Sequence, residues 1–329
     1  MNAQNAAPLV LFRVLANQDG SPAALLFDAG PGEAACLDPL LRNEAFSQLP
    51  GQFPCYYREG TQAPLAQALD GQGWKGLAPA SLTRCDGPAL KDAIGPGAAL
   101  IDGDWFMAAP PKASGPQAAS RLLALQLVQL VAADGHTHEI EALLRKDPTL
   151  SYQLLRLVNS LGMSTGRRVT SFSQALLILG RQQLRRWLNL MLFAARDGDL
   201  RSGMLLARVA ARARLMEQLA KQRGLDKNHQ EQAFMVGMFS LLGVLFGMPL
   251  PELLAPLSMG EEVHAALLAY EGEIGAMLRL CEAAEQTGFD AVRTELALLQ
   301  LSHEEFNEAN SAAAHWMLSA LRGSRGGDA

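Results

Sequence analysis

Arg181 and Arg185 stand four residues apart in an apolar-striped run, so a helix there carries both guanidiniums on one face. Arg167, Arg168 and Arg186 add charge nearby. Guanidinium groups fork onto phosphate or carboxylate, so Arg167, Arg168, Arg181 and Arg185 could form a surface for an acidic partner, a nucleotide or nucleic acid. The plainer reading is that arginines near helix ends satisfy carbonyls and cover apolar surface. Both readings stay open at this point. No aromatic interleaving supports single-strand nucleic-acid binding, and nucleic acid is not an expected partner.

Other chemistry is sparse. The histidines, His136, His138, His229, His264, His303 and His315, show no ligand spacing, and His136 and His138, two apart at a helix start, do not share a helix face. The cysteines, Cys36, Cys55, Cys85 and Cys281, form no CxxC pair, which argues against a zinc ribbon or a disulfide framework. GPGAALIDGD (95–104) has glycines but neither a Walker lysine nor a following helix. Asp102 and Asp104 lack metal partners in the sequence and read as turn residues. No catalytic residue, metal or cofactor is therefore expected.

These residues sit on two kinds of element. Up to about residue 110 the chain reads as short mixed elements, with extended runs LVLFRVL (9–15), AALLF (23–27) and GAALIDGDW (97–105). Helical spacing appears in DPLLRNEAF (38–46), APLAQAL (63–69) and PALKDAI (88–94). AAPPKASGP (108–116) reads as a linker, because its prolines fix φ and remove donors. Long amphipathic runs follow, among them SRLLALQLVQLVAAD (120–134), HEIEALLRK (138–146), LLARVAARARLMEQLAKQRG (205–224), HQEQAFMVGMFSLLGVLFG (229–247) and EEVHAALLAYEGEIGAMLRLCEAAEQTG (261–288). The fold class is thus α+β: a small α/β unit over 1–112, a larger all-helical bundle over 113–322, and a disordered tail over 323–329.

The chain has 329 residues, of which 49% are hydrophobic, enough for a core in each part. No segment reaches the roughly 18 apolar residues of a membrane span, and no leader is evident, so a cytoplasmic protein without a membrane partner is expected. The net charge of −5 is uneven. Residues 1–111 carry roughly −5, residues 112–223 roughly +10 and residues 224–329 roughly −10. The basic stretch either meets an outside acidic or phosphate-rich partner or faces the acidic stretch of its own bundle, and the second is preferred.

DPTLSYQLLRLVNS (147–160), RRVTSFSQALLILGRQQLRRWL (167–188) and AFMVGMFSLLGVLFGMPLPELL (233–254) together resemble the HDOD domain, a relative of the HD phosphohydrolases. FRVLANQDGSPAALLF (12–27) and GDWFMAAPP (103–111) are similar to the opening and end of an EAL domain, shortened and degenerate, with Ala24 at the place of a family glutamate. The resemblance implies an EAL-HDOD signal-transduction protein. Active HD hydrolases place a His-Asp doublet where GMFSLLG (237–243) stands, so the doublet falls on Ser240 and Leu241, and an upstream histidine falls near Arg208. The expected function is accordingly a non-enzymatic regulatory or scaffold protein acting through its HDOD domain on a protein partner. The alternative is a nucleotide receptor that binds without hydrolysis in the vacated pocket at Arg208, Arg212 and Ser240.

Overall fold

The computed structural model describes residues 7–87, 90, 99–110, 123, 126–130, 135–144, 180, 183, 186, 188–190, 199–257 and 259–325. Its N-terminal part is a curled sheet. Strands β1 (Val10–Ala16) and β2 (Pro22–Ala29) form an antiparallel hairpin, with Arg13 opposite Leu26 and Leu15 opposite Ala24. Its loop closes through Asn17, whose side-chain oxygen accepts from the amides of Asp19 and Ser21, and through Gly20 at φ +75°, a conformation that suits glycine. Strands β3 (Cys55–Arg58), β4 (Lys75–Leu77), β5 (Leu82–Arg84) and β6 (Leu100–Asp102) complete the order β4-β3-β2-β1-β6-β5. β2, β3 and β4 run parallel, as do β5 and β6, and β1 is antiparallel to both neighbours. All strands except β1 therefore end on the same edge.

The two expected N-terminal strands and the strand near residue 100 are present, while β3, β4 and β5 are too short for alternation to reveal. DPLLRNEAF forms two single turns, α1 (Asp38–Leu41) and α2 (Glu44–Ser47), because the Asn43 side chain accepts from Phe46 N and starts a new helix there. Helices α3 (Leu49–Gln52) and α4 (Ala63–Gly71) follow. PALKDAI, apart from Leu90, lies outside the described residues.

The helical part comprises α5 (Thr137–Leu144), α6 (Ser202–Gln222), α7 (Lys227–Phe239), α8 (Leu242–Phe246), α9 (Leu250–Leu254), α10 (Glu261–Ala269), α11 (Gly272–Glu285), α12 (Phe289–Leu299) and α13 (His303–Arg325). Two long runs break where one helix was expected. The first breaks at Ser240–Leu241. The second breaks at Tyr270, which adopts φ +56° and packs against Gly275 so closely that a Cβ on that glycine would strike the Tyr270 backbone. Helix α13 reaches Arg325, three residues into the expected tail; 326–329 lie outside the described residues.

The sheet and the helices share one hydrophobic core. On one face of the sheet Phe12 and Phe27 pack with Phe46 of α2 and with Trp74, which precedes β4, at ring-centroid distances of 5.3–6.2 Å. From the helical side come Leu205, Val209, Met216, Phe234, Met238, Phe239 and Phe306, all buried. The other face holds a second apolar layer of Leu15, Ala24, Leu26 and Leu77, with Tyr56, Leu82 and Leu100 at its margin. Among the described residues no helix is long and apolar enough to cross a membrane.

Candidate functional site

Side chains two residues apart on a strand share a face. Two residues from five of the seven residues of the second apolar layer stand charged side chains: Leu15 leads to Arg13, Leu26 to Asp28, Tyr56 to Arg58, Leu82 to Arg84 and Leu100 to Asp102. These charged residues form a rim above the apolar layer, at the edge where the parallel strands end. Ligands of open α/β sheets bind outside the carboxyl ends of the strands.

The rim is a linked set of ion pairs. Asp102 is buried and accepts from Arg13 Nε at 2.9 Å and from Arg13 Nη2. Arg58 Nε reaches Asp28 Oδ1 at 2.6 Å, and its Nη2 lies 3.9 Å from Asp102 Oδ2. The hydrogen bond that Arg58 donates to Asp28 leads the effects that raise the Arg58 pKa. Arg84 Nε pairs with Asp86 at 2.7 Å, which lowers the Asp86 carboxyl. The carboxylates beneath are covered, with Asp28 at 14% and Asp102 at 7% side-chain exposure, while Arg58 is 45% and Arg84 64% exposed. Asp86, beside Arg84, is 53% exposed, so Arg58 is the guanidinium that stands clear above its covered carboxylate. Asp102 and Asp104, expected as turn residues, flank the turn at Gly103 and are ion-pair partners as well, Asp102 of Arg13 and Asp104 of Arg208.

Where the rim meets the bundle, Arg13, Asp102, Gly103 and Asp104 line a cleft with Arg208, Arg212 and Glu285. Arg208 on α6 donates to Asp104 Oδ1 at 2.7 Å and to Glu285 Oε2 at 3.0 Å, with its guanidinium 5.0 Å from the centre of the Phe106 ring. Arg212, buried, donates to Glu285 Oε1 at 2.7 Å and to Ser240 Oγ at 2.8 Å. Burial alone would lower the Arg212 pKa, but the Glu285 charge overrides it and raises it. Burial would likewise raise the Glu285 carboxyl, and Arg212 with Arg208 brings it below the ordinary value. Cys281, buried beside this pair, has its thiol raised well above normal by desolvation.

Arg208, Arg212 and Ser240 are thus brought together as the sequence suggested, but their charge is met by Asp104, Glu282 and Glu285. The metal held by HD phosphohydrolases does not fit here. Ser240 Oγ already donates to Gly237 O at 2.8 Å and accepts from a guanidinium that would repel a cation, and Leu241 offers no donor atom. Among the described residues no group of three or more His, Cys, Asp or Glu could hold a metal ion.

Arg167, Arg168, Arg181 and Arg185 lie outside the described residues. Arg186 is buried against Glu217 and Glu231 and lies 4.3 Å from the Phe234 ring centre. His136 and His138 stack at 5.6 Å and 14°, contrary to the expectation of separate faces, because His136 precedes the helix at Thr137. The residues that sequence reasoning missed are Arg13, Asp28, Arg58, Arg84 and Glu285. For Arg13 and Asp28 the available signal was a charge two positions from an inward apolar residue of a long strand.

A sheet ending in a charged rim and docked on a helical bundle is the class that fold and site define. Residues 116–262 match the model of the HDOD domain, so the chain carries an HDOD domain. It is 31% identical over 177 residues to the cyclic di-GMP phosphodiesterase CdgJ of Vibrio cholerae serotype O1, covering 54% of this chain and 40% of that protein. It is 27% identical over 230 residues to YuxH of Bacillus subtilis strain 168, covering 69% of this chain and 55% of the relative. The chain thus spans about half the length of the curated relatives it matches. A solved structure of a Shewanella amazonensis SB2B protein, provisionally named a phosphohydrolase, aligns with TM-score 0.42 at 15% identity over 61% of this chain and 93% of that one. The likeness to a protein named as a phosphodiesterase overturns the expectation of a non-enzymatic scaffold or non-hydrolysing receptor.

Proposed function

We propose that this chain acts in signal transduction on the hydrolytic side of cyclic di-GMP turnover, with the charged rim as the place where the phosphodiester is held. The observation that supports it is that Arg58 and Arg84 are exposed above the covered Asp28 and Asp102, in a chain similar to a cyclic di-GMP phosphodiesterase. An antiparallel first strand followed by parallel ones is consistent with an EAL-like front unit. The four thiols, all free, suit a cytoplasmic setting, where a protein partner in the same pathway would also be met.

The chemistry follows from the rim. Arg58 and Arg84 neutralise the non-bridging phosphate oxygens, and Asp28 accepts a proton from water as the water oxygen attacks phosphorus. The P–O bond to the ribose breaks, and the departing oxygen takes a proton from solvent water while Asp28 returns its proton to solvent, leaving a linear dinucleotide. The bundle position of Ser240 and Leu241 takes no part in this step.

The test is to incubate the purified chain with cyclic di-GMP, with and without magnesium or manganese, and to resolve products by chromatography. Linear dinucleotide should accumulate. Recovery of intact substrate under every condition would refute the reading.

A further inference from the structure

We propose that Arg208, on the helical bundle, is a positioning residue for the rim: it fixes the Asp102–Asp104 turn from which Asp102 holds Arg13 and faces Arg58. The proposal rests on the reading of the rim as the phosphodiester site.

The turn itself has little freedom. Gly103 adopts φ +112°, and a Cβ there would run into the Cys85 carbonyl oxygen. Cys85 N donates to Asp102 O at 2.8 Å, Trp105 N donates to Cys85 O at 3.2 Å, and Gly103 N donates to the Asp102 side chain at 2.8 Å. A force applied at Asp104 therefore reaches Asp102 with little slack. Asp104 is the point at which Arg208 grips.

Arg208 is itself held from the bundle side. Its second nitrogen meets Glu285 on α11, and Glu285 also takes Arg212, whose remaining nitrogen meets Ser240 at the break between α7 and α8. The contacts run without a gap from that break, through Arg212, Glu285 and Arg208, to Asp104 and the rim. This continuity makes Arg208 the place where the HDOD helices set the rim geometry. A residue of that kind changes how the rim holds substrate without touching substrate itself.

The experiment measures hydrogen exchange across 100–107 and cyclic di-GMP kinetics in the wild type, Arg208→Ala and Arg208→Lys. Arg208→Ala should speed exchange in 100–107 by about 10-fold or more and leave α13 unchanged, as for release of one local restraint. It should also lower kcat/KM by about 10-fold, the size of one lost charge-assisted hydrogen bond, with Arg208→Lys recovering part of both. Exchange in 100–107 that matches the wild type overturns the proposal, whatever the kinetics. Faster exchange with kcat and KM unchanged in an active enzyme also overturns it. A wild type inert toward cyclic di-GMP refutes the function of the rim, while the exchange data still decide whether Arg208 positions the turn. Should Arg208→Ala fail to fold, Asp104→Asn weakens the same pair from its more exposed side and must give the same exchange result.

Discussion

Arg212 and Glu285 illustrate how much one buried pair controls. Removing Arg212 leaves the buried Glu285 carboxylate beside Cys281 with Arg208 as its remaining partner, so Arg212→Ala should lose about 1.5–3 kcal/mol in denaturant unfolding. The pair also gives an acid limit. The Glu285 carboxyl is held below its ordinary value in the folded state, so its contribution is present above the unfolded glutamate pKa of about 4.3 and is lost as pH falls through the folded value. Between pH 5 and 3 the melting temperature of Glu285→Gln should therefore fall less steeply than that of the wild type. Little of this was legible beforehand. Arg208, Arg212 and Ser240 could be singled out from the doublet position, but Glu285 lies 73 residues from Arg212 and nothing local marks it as their partner. Ser240 could be assigned to the lost doublet from sequence; that a guanidinium stands against it required the fold.

The strands and helices show where periodicity succeeds and where it stops. β1 and β2 are long enough for alternation to identify, and their inward positions lead directly to Arg13 and Asp28. β3, β4 and β5 have only three or four residues each, too few to carry a period, so Arg58 and Arg84 stayed invisible as rim residues. Helices α6 and α7 pack with Gly237 against Ala213, and a Cβ at Gly237 would lie 2.6 Å from the Ala213 Cα. Gly237→Ala should cost about 1–3 kcal/mol through overpacking, measured by denaturant midpoint. Helix α13 is fastened to β1 by amides instead of apolar contact alone. Asn307 Oδ1 accepts from Val10 N at 2.8 Å, its Nδ2 donates to Pro8 O at 2.8 Å, and Asn310 Nδ2 donates to Val10 O at 2.9 Å. Asn307 is buried, so Asn307→Ala leaves both backbone groups without that partner and should cost about 2 kcal/mol in the same measurement.

At the scale of the whole molecule, part of the uneven charge is met by internal pairing among the described residues. Arg186, Arg212 and Arg223 from the basic stretch meet Glu231, Glu285 and Glu273 from the acidic one, which is the preferred reading of the charge blocks. Sheet and helices share one apolar core, with the final helix returning to the first strand. That continuity predicts a single heat-unfolding transition in calorimetry, and two separated peaks would contradict it. The central claim is that the rim holds a phosphodiester for hydrolysis. Its most direct test compares cyclic di-GMP turnover by the wild type and by Arg58→Ala under identical conditions. The account predicts linear dinucleotide from the wild type and a kcat/KM lower by about 10-fold or more in Arg58→Ala. No product from the wild type, or equal turnover by the two proteins, would contradict it.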